Sequence, residues 1–137
     1  MVQINNTNTA PNNTVTLNSA LTIPNALTLT SGKIAIGSNN LIVKGTLTNN
    51  ATISGGTGVV TLNSGTTQTI AGTGGSISNL TLSTSGTTVS ISGTQNITGI
   101  LSVNTGTTLN TGNNLTLKST SIDNLSLIHI SEPTRPY

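Results

Sequence analysis

Short apolar–polar–apolar triplets recur along the chain: Val15-Thr-Leu17, Leu21-Thr-Ile23, Leu27-Thr-Leu29, Ile34-Ala-Ile36 and Leu41-Ile-Val43. Val60-Thr-Leu62, Leu80-Thr-Leu82, Val89-Ser-Ile91, Leu101-Ser-Val103 and Leu115-Thr-Leu117 continue the series. Alternation with a period of two is the mark of a half-buried strand. β-Branched Thr, Val and Ile suit extended backbone. In each triplet the outer side chains point to one face and the middle one to the other. The pattern predicts strands with a dry side and a hydroxyl side.

Turn-forming clusters separate the triplets, among them Pro11-Asn-Asn13, Ser31-Gly32, Gly37-Ser-Asn-Asn40, Asn63-Ser-Gly65, Gly72-Thr-Gly-Gly75 and Gly112-Asn-Asn114. Gly and Asn accept positive φ at low cost and suit tight corners. The first triplets start at 15, 21, 27, 34 and 41. Three such strands give a repeat of about 20 residues. Val15-Thr-Leu-Asn-Ser19 returns as Val60-Thr-Leu-Asn-Ser64, and Asn79-Leu-Thr-Leu82 as Asn114-Leu-Thr-Leu117. The spacing loosens after Gly55.

Short strands at regular intervals admit a solenoid, a sandwich or a barrel. A sandwich needs longer strands and a bulky core. A membrane barrel needs ~10-residue strands and aromatic girdles. The strands here are too short, and no aromatic precedes Tyr137. The expected fold is all-β: a right-handed parallel β-helix (solenoid) of about six coils spanning residues 1–124. At ~4.8 Å per rung it would be a rod about 25–30 Å long. Ser, Asn and Gly also favour disorder, but the regular pairing of Leu, Ile and Val opposes it.

Composition narrows the functions. Thr, Asn, Ser and Gly supply 79 of 137 residues, so a helical bundle lacks its building blocks. There is no Cys, which excludes a disulfide scaffold or a Cys-type zinc site. No apolar run approaches the ~20 residues of a transmembrane helix. The formal charge is +2, from four basic and two acidic residues. The pI near 9.5 thus reflects scarcity of charge, not a basic face. Lys33, Lys44 and Lys118 are isolated and have no stacking aromatics beside them, which argues against nucleic-acid binding. Met1-Val-Gln-Ile-Asn-Asn6 has neither a basic nor an apolar stretch, so no secretion signal is visible; a cytosolic protein or a missing true N-terminus follows.

The composition breaks near the end. Residues 125–137 hold His129, Glu132, Arg135, Tyr137 and two of the four prolines. Leu125-Ser-Leu-Ile-His-Ile-Ser-Glu-Pro-Thr-Arg135 resembles one translated reading frame of a transposon-type sequencing adapter. The resemblance implies a non-native tail over 125–137, with no chemistry at His129 or Glu132, and a chain that is a fragment. Pro133 and Pro136 cannot donate ladder hydrogen bonds, so Glu132–Tyr137 are expected to leave the coil.

Val60-Thr-Leu-Asn-Ser-Gly-Thr-Thr-Gln-Thr-Ile-Ala-Gly-Thr-Gly-Gly-Ser-Ile-Ser-Asn-Leu-Thr-Leu82 resembles the repeat region of large bacterial surface proteins. The nearest likeness is to the β-strand-repeat proteins secreted by Bacteroidetes through their outer-membrane sorting system. Residues 99–119 resemble a later unit of the same array. The resemblance implies an extracellular or cell-surface location and a stalk or adhesin role. The implied partners are neighbouring repeats of the parent chain, surface glycans or other cells.

Candidate chemistry is sparse. Acid–base catalysis needs positioned titratable groups. Before the tail there is one carboxylate, Asp123, and no His. Polysaccharide cleavage of the kind other β-helices perform needs acidic and basic groups on one face, which three scattered lysines do not supply. No catalytic, cofactor-binding or metal-ligating residue is predicted, and no cofactor. Gly72-Thr-Gly-Gly75 lacks the Asp of a calcium-binding turn and the Lys and helix of a phosphate loop. It reads as a corner. The sequons at Asn5, Asn12, Asn50, Asn79, Asn96 and Asn114 are what an Asn- and Thr-rich chain produces by chance.

The suggestive feature is hydroxyl: Thr14-Val-Thr16, Thr28-Leu-Thr30, Thr46-Leu-Thr48 and Thr67-Gln-Thr69. Stacked Thr rows on a β-helix resemble the ice-binding device of some antifreeze proteins, which makes ice binding the alternative function. That device needs the triplets on one strand position of successive coils, and their intervals here are irregular. Finally, no amphipathic helix flanks the repeats, so both solenoid ends should be uncapped. The isolated chain is expected to stack end to end or aggregate.

Overall fold

The structure, a computed structural model, describes residues 1–118 and the two short strands at 122–123 and 128–129. The first coil consists of β1 (Val2–Asn5), β2 (Thr14–Thr16) and β3 (Leu21–Ile23). The second consists of β4 (Leu27–Ser31), β5 (Lys33–Gly37) and β6 (Leu41–Val43). The third has β7 (Leu47–Asn49), β8 (Thr52–Gly55) and β9 (Val60–Leu62). The fourth has β10 (Gln68–Ala71), β11 (Gly75–Ile77) and β12 (Leu80–Leu82). The fifth has β13 (Thr88–Ser92), β14 (Gln95–Ile97) and β15 (Leu101–Val103). The sixth has β16 (Thr108–Asn110), β17 (Leu115–Leu117) and β18 (Ile122–Asp123), and β19 (Ile128–His129) begins a seventh.

Every third strand stacks on the one before it, always parallel. The first sheet runs β1-β4-β7-β10-β13-β16-β19, the second β2-β5-β8-β11-β14-β17 and the third β3-β6-β9-β12-β15-β18. This is the β-solenoid that the triplets predict; five full turns carry the chain from β1 to β16.

Inward residues form continuous aliphatic stacks. In the second sheet Val15, Ile34, Ile53, Ile77, Ile97 and Leu117 lie in one register column. In the third, Leu41, Val60, Leu80 and Leu101 form one column and Val43, Leu62, Leu82 and Val103 another. All of these third-sheet residues are buried. Each buried aliphatic side chain is worth about 1.5–3 kcal/mol. A lone coil buries little, so the core exists only through stacking.

Register explains the loosening of the repeat. Ile34 stacks on Val15, nineteen residues later, whereas Ile77 stacks on Ile53, twenty-four later. The extra residues sit in corners. The link from β6 to β7 is 44–46, while the equivalent link from β9 to β10 is 63–67. Strands keep their apolar spacing because a one-residue slip would turn the aliphatic side chains outward.

Corners of adjacent coils touch. Gly93, between β13 and β14, has φ +102°, and a Cβ there would overlap the carbonyl oxygen of Gly72 in the coil before. Only glycine combines that left-handed backbone with that approach.

The expectation that Glu132–Tyr137 leave the coil, and the proposed boundary between residues 124 and 125, lie outside the described residues. Within 125–137, β19 is described and pairs with β16.

Candidate functional site

Three of the four Thr-x-Thr triplets fall on the first sheet, and Thr14-Val-Thr16 falls on the second. The three do not align. Thr28 pairs with Thr48, but Thr48 pairs with Ala71, two residues beyond Thr69. Thr69 is followed in its own column by Ser90 and Asn110. The triplets are therefore staggered along the strand from coil to coil. Inward residues cause this: Leu47 must stack on Leu27 and Ile70 on Leu47, and the threonines follow wherever that register leaves them.

The ordered hydroxyl face is on the second sheet instead. One outward file runs Thr14, Lys33, Thr52, Ser76, Asn96 and Thr116 without a register break. A parallel file begins Thr16, Ala35 and Ser54. Ser78, Thr98 and Lys118 follow, donating their N–H groups to Ile53, Ile77 and Ile97 of the preceding coils. Neighbouring hydroxyls make contact, with Ser76 Oγ donating to Thr52 Oγ1 at 3.3 Å. Sequence reasoning that looked only for Thr-x-Thr missed this face. Its signal is the degenerate form Thr52-Ile-Ser54, Ser76-Ile-Ser78 and Asn96-Ile-Thr98.

The third sheet presents a single file of Thr22, Ile42, Thr61, Thr81 and Ser102. Beside it lies a shallow groove of about 300 Å³ lined by Val59, Asn79, Thr81, Ile100 and Ser102 with Gly56 and Thr57. No titratable side chain lines it. Among the described residues no three His, Cys, Asp or Glu side chains come together as a metal site.

The corner between β10 and β11 runs over residues 72–74, with Gly75 and Ser76 opening β11 behind it. Its N–H groups face other coils. Thr73 N donates to Asn50 Oδ1, Gly74 N to the Thr94 carbonyl and Ser76 N to the Ala51 carbonyl. A phosphate would find these donors already engaged.

The sequon asparagines have a structural use that chance occurrence did not suggest. Asn79 donates to the carbonyls of Gly56 and Gly58 at 3.1 and 2.9 Å, and its Oδ1 accepts from Ile100 N at 2.9 Å. It thus ties three coils at one corner. Asn50, Asn96 and Asn114 each bond a neighbouring coil in the same manner, to Thr73 N, Gly75 O and Ile91 O.

Three buried amides interrupt the aliphatic stacks: Asn49, Gln68 and Gln95. Gln95 Nε2 donates to the carbonyls of Asn49 and Gly72 at 3.0 Å each, and its Oε1 accepts from Asn49 Nδ2 at 3.2 Å. Gln68 Nε2 donates to the carbonyls of Val43 and Gly45 at 3.0 Å each. Its Oε1 accepts from Ser64 N. A buried amide left unpaired would be costly, and these are paired throughout. Each occupies an apolar slot of a triplet, as in Leu47-Thr-Asn49, Gln68-Thr-Ile70 and Gln95-Asn-Ile97.

In comparisons with protein-family models, with curated proteins and with solved structures, nothing matches the chain.

Proposed function

We propose that the chain is a repeat segment of an extracellular or cell-surface bacterial protein, acting as a stalk or adhesin-like spacer with no catalytic activity. The observation that carries this reading is the unbroken inward column Val15–Ile34–Ile53–Ile77–Ile97–Leu117. Every coil adds length to the same rod, and corner insertions change its outline without gathering reactive groups. Asn79-type corner bonds resist shear between coils, which suits an extended element. Its partners in this role are neighbouring repeats of the parent chain, with surface glycans or other cells met along the hydroxyl-rich sides. The resemblance of residues 60–82 and 99–119 to secreted Bacteroidetes repeats supports the same location. Antibody against this chain should label intact cells of the producing bacterium, and mild external proteolysis should remove the label. Labelling seen only after permeabilisation would sink the reading.

Ice binding is the second reading, favoured by the two files of the second sheet. Their regular rungs offer a repeating hydroxyl array to ordered water. Lys33 and Ala35 interrupt it in the second coil. The expected result is measurable arrest of ice growth that Thr52→Lys and Ser76→Lys abolish; growth at the buffer rate with the unmodified chain would discard this reading.

A further inference from the structure

Among the described residues, large hydrophobic side chains are exposed at Met1, Val2, Val15 and Leu21, all in the first coil, and then only at Ile100. Ile100 is 42% exposed. It sits beside β15, which has a strand paired on either side, so its exposure is on the flank of the rod and not at an end. It lines the groove of the third sheet. Val59 and Ile100 supply the apolar part of that groove, and Thr57, Thr81 and Ser102 supply hydroxyls. Among the described residues none of these three hydroxyls has a hydrogen-bond partner. Asn79 between them is fully engaged: it donates to the Gly56 carbonyl and accepts from Ile100 N. One side chain thus fixes both walls, and the groove is formed before any ligand arrives.

We propose that this groove binds a neutral glycan; the proposal rests on the surface role stated above and names the chemistry met there. A sugar ring carries an apolar C–H face and a rim of hydroxyls. The first suits Val59 and Ile100, and the second suits Thr57, Thr81 and Ser102. Neutrality follows from the lining, which holds no titratable side chain. Register also places Asp123 next after Ser102, so an anionic chain meets like charge there. A peptide has less to gain. β9, β12 and β15 are each paired on both sides and offer no strand edge to its main chain. Thr61, Thr81 and Ser102 follow one another at rungs of ~4.8 Å, so a linear glycan laid along the rod meets a hydroxyl at each level.

Saturation-transfer NMR reads weak binding directly. The probes are gluco-, manno-, galacto- and N-acetylglucosamine oligosaccharides, with oligogalacturonate and a neutral Leu-containing peptide beside them. Transfer to at least one neutral sugar is expected, strongest at its ring C–H protons and unchanged by added salt. Ile100→Ser should weaken binding about tenfold and Thr81→Val about threefold, with the far-UV CD spectrum unchanged. Ser90→Ala, on the first sheet, should leave it intact. No transfer to any neutral sugar overturns the proposal. So does preferential transfer to oligogalacturonate or to the peptide, or full binding by both groove variants. Should Ile100→Ser misfold, the near-isosteric Thr81→Val decides alone. Absent transfer with cells still labelled from outside overturns the groove and leaves the surface location. Sugar binding with label only after permeabilisation keeps the groove and removes the location.

Discussion

Asn49 and Gln95 are hydrogen bonded to each other inside the core, Nδ2 to Oε1 at 3.2 Å, although 46 residues separate them. They belong to the third and fifth coils, and the fourth lies between. The bond passes because that coil presents Gly75, where a Cβ would overlap Asn49. Two amides and one missing side chain thus form a single brace across three levels.

Asn49→Leu takes the donor from the buried Gln95 Oε1, and Gln95→Leu takes the amide donor from the carbonyls of the buried Asn49 and of Gly72, while each remaining amide keeps its backbone partners. Asn49→Leu or Gln95→Leu alone should cost about 2–4 kcal/mol in urea unfolding. The double variant should cost less than the sum of the singles, with a coupling of about 1–3 kcal/mol. Strict additivity would show that the two amides act independently.

Backbone contact at the corners gives a second contrast. Gly93→Ala adds a side chain both at φ +102° and against the Gly72 carbonyl. Gly86 has φ +81° with open space around its Cβ position. Gly86→Ala should cost about 1–2 kcal/mol from the left-handed backbone alone. Gly93→Ala should cost about 2–4 kcal/mol. Equal losses on thermal unfolding would mean that the coil-to-coil approach at Gly93 is easily relaxed.

The fold was legible because triplets such as Leu80-Thr-Leu82 are short, regular and bounded by turn residues. Coil number followed from the ~20-residue repeat. Lateral register was not legible. It depends on which inward residue stacks on which, and corners such as 63–67 absorb extra residues without trace in the triplets. Hence the Thr-x-Thr triplets looked like the candidate array, while the aligned array on the second sheet hid behind Ser76 and Asn96. Buried amides were missed for a related reason. Asn49 and Gln95 read as surface residues until their slots in the triplet are compared with those of Leu29 and Leu115.

Gln68 offers a test by pH. Its Nε2 donates to two carbonyls, that of the buried Val43 and that of the half-buried Gly45. Gln68→Glu would place a carboxylate against both, and burial and repulsion would raise its folded-state pKa above the unfolded value. A raised pKa means that the stability of the protonated form is fully present below the unfolded pKa and is lost as pH rises through the folded one. The variant should therefore fall short of the parent by about 3 kcal/mol or more near neutral pH, from the buried charge. The deficit should shrink toward pH ~4. Parallel stability curves for parent and variant between those limits would mean that the side chain escapes to water.

Length should be tolerated only in whole coils. Leu41 stacks on Leu21, so deleting residues 21–40 joins Ala20 to Leu41 where Asn40 joined it before. The deletion spares Asn49, Gln68 and Gln95. β7 then meets β1, β8 meets β2, and each aliphatic column loses one rung. The shortened chain should keep its β-type CD spectrum per residue, and small-angle scattering should find a rod shorter by ~4.8 Å. Nearest-neighbour stacking predicts only a modest fall in melting temperature, the contribution of one interface. Deleting residues 21–30 instead removes half a coil and sets β5 where the third sheet must continue. Ile34 and Ile36 can fill an inward column there, but every later strand is displaced by one sheet, so the corners no longer fall where the coils turn. That chain should unfold or melt far below the whole-coil deletion. Equal stability of the two deletions would mean that the coils are not the units of this rod.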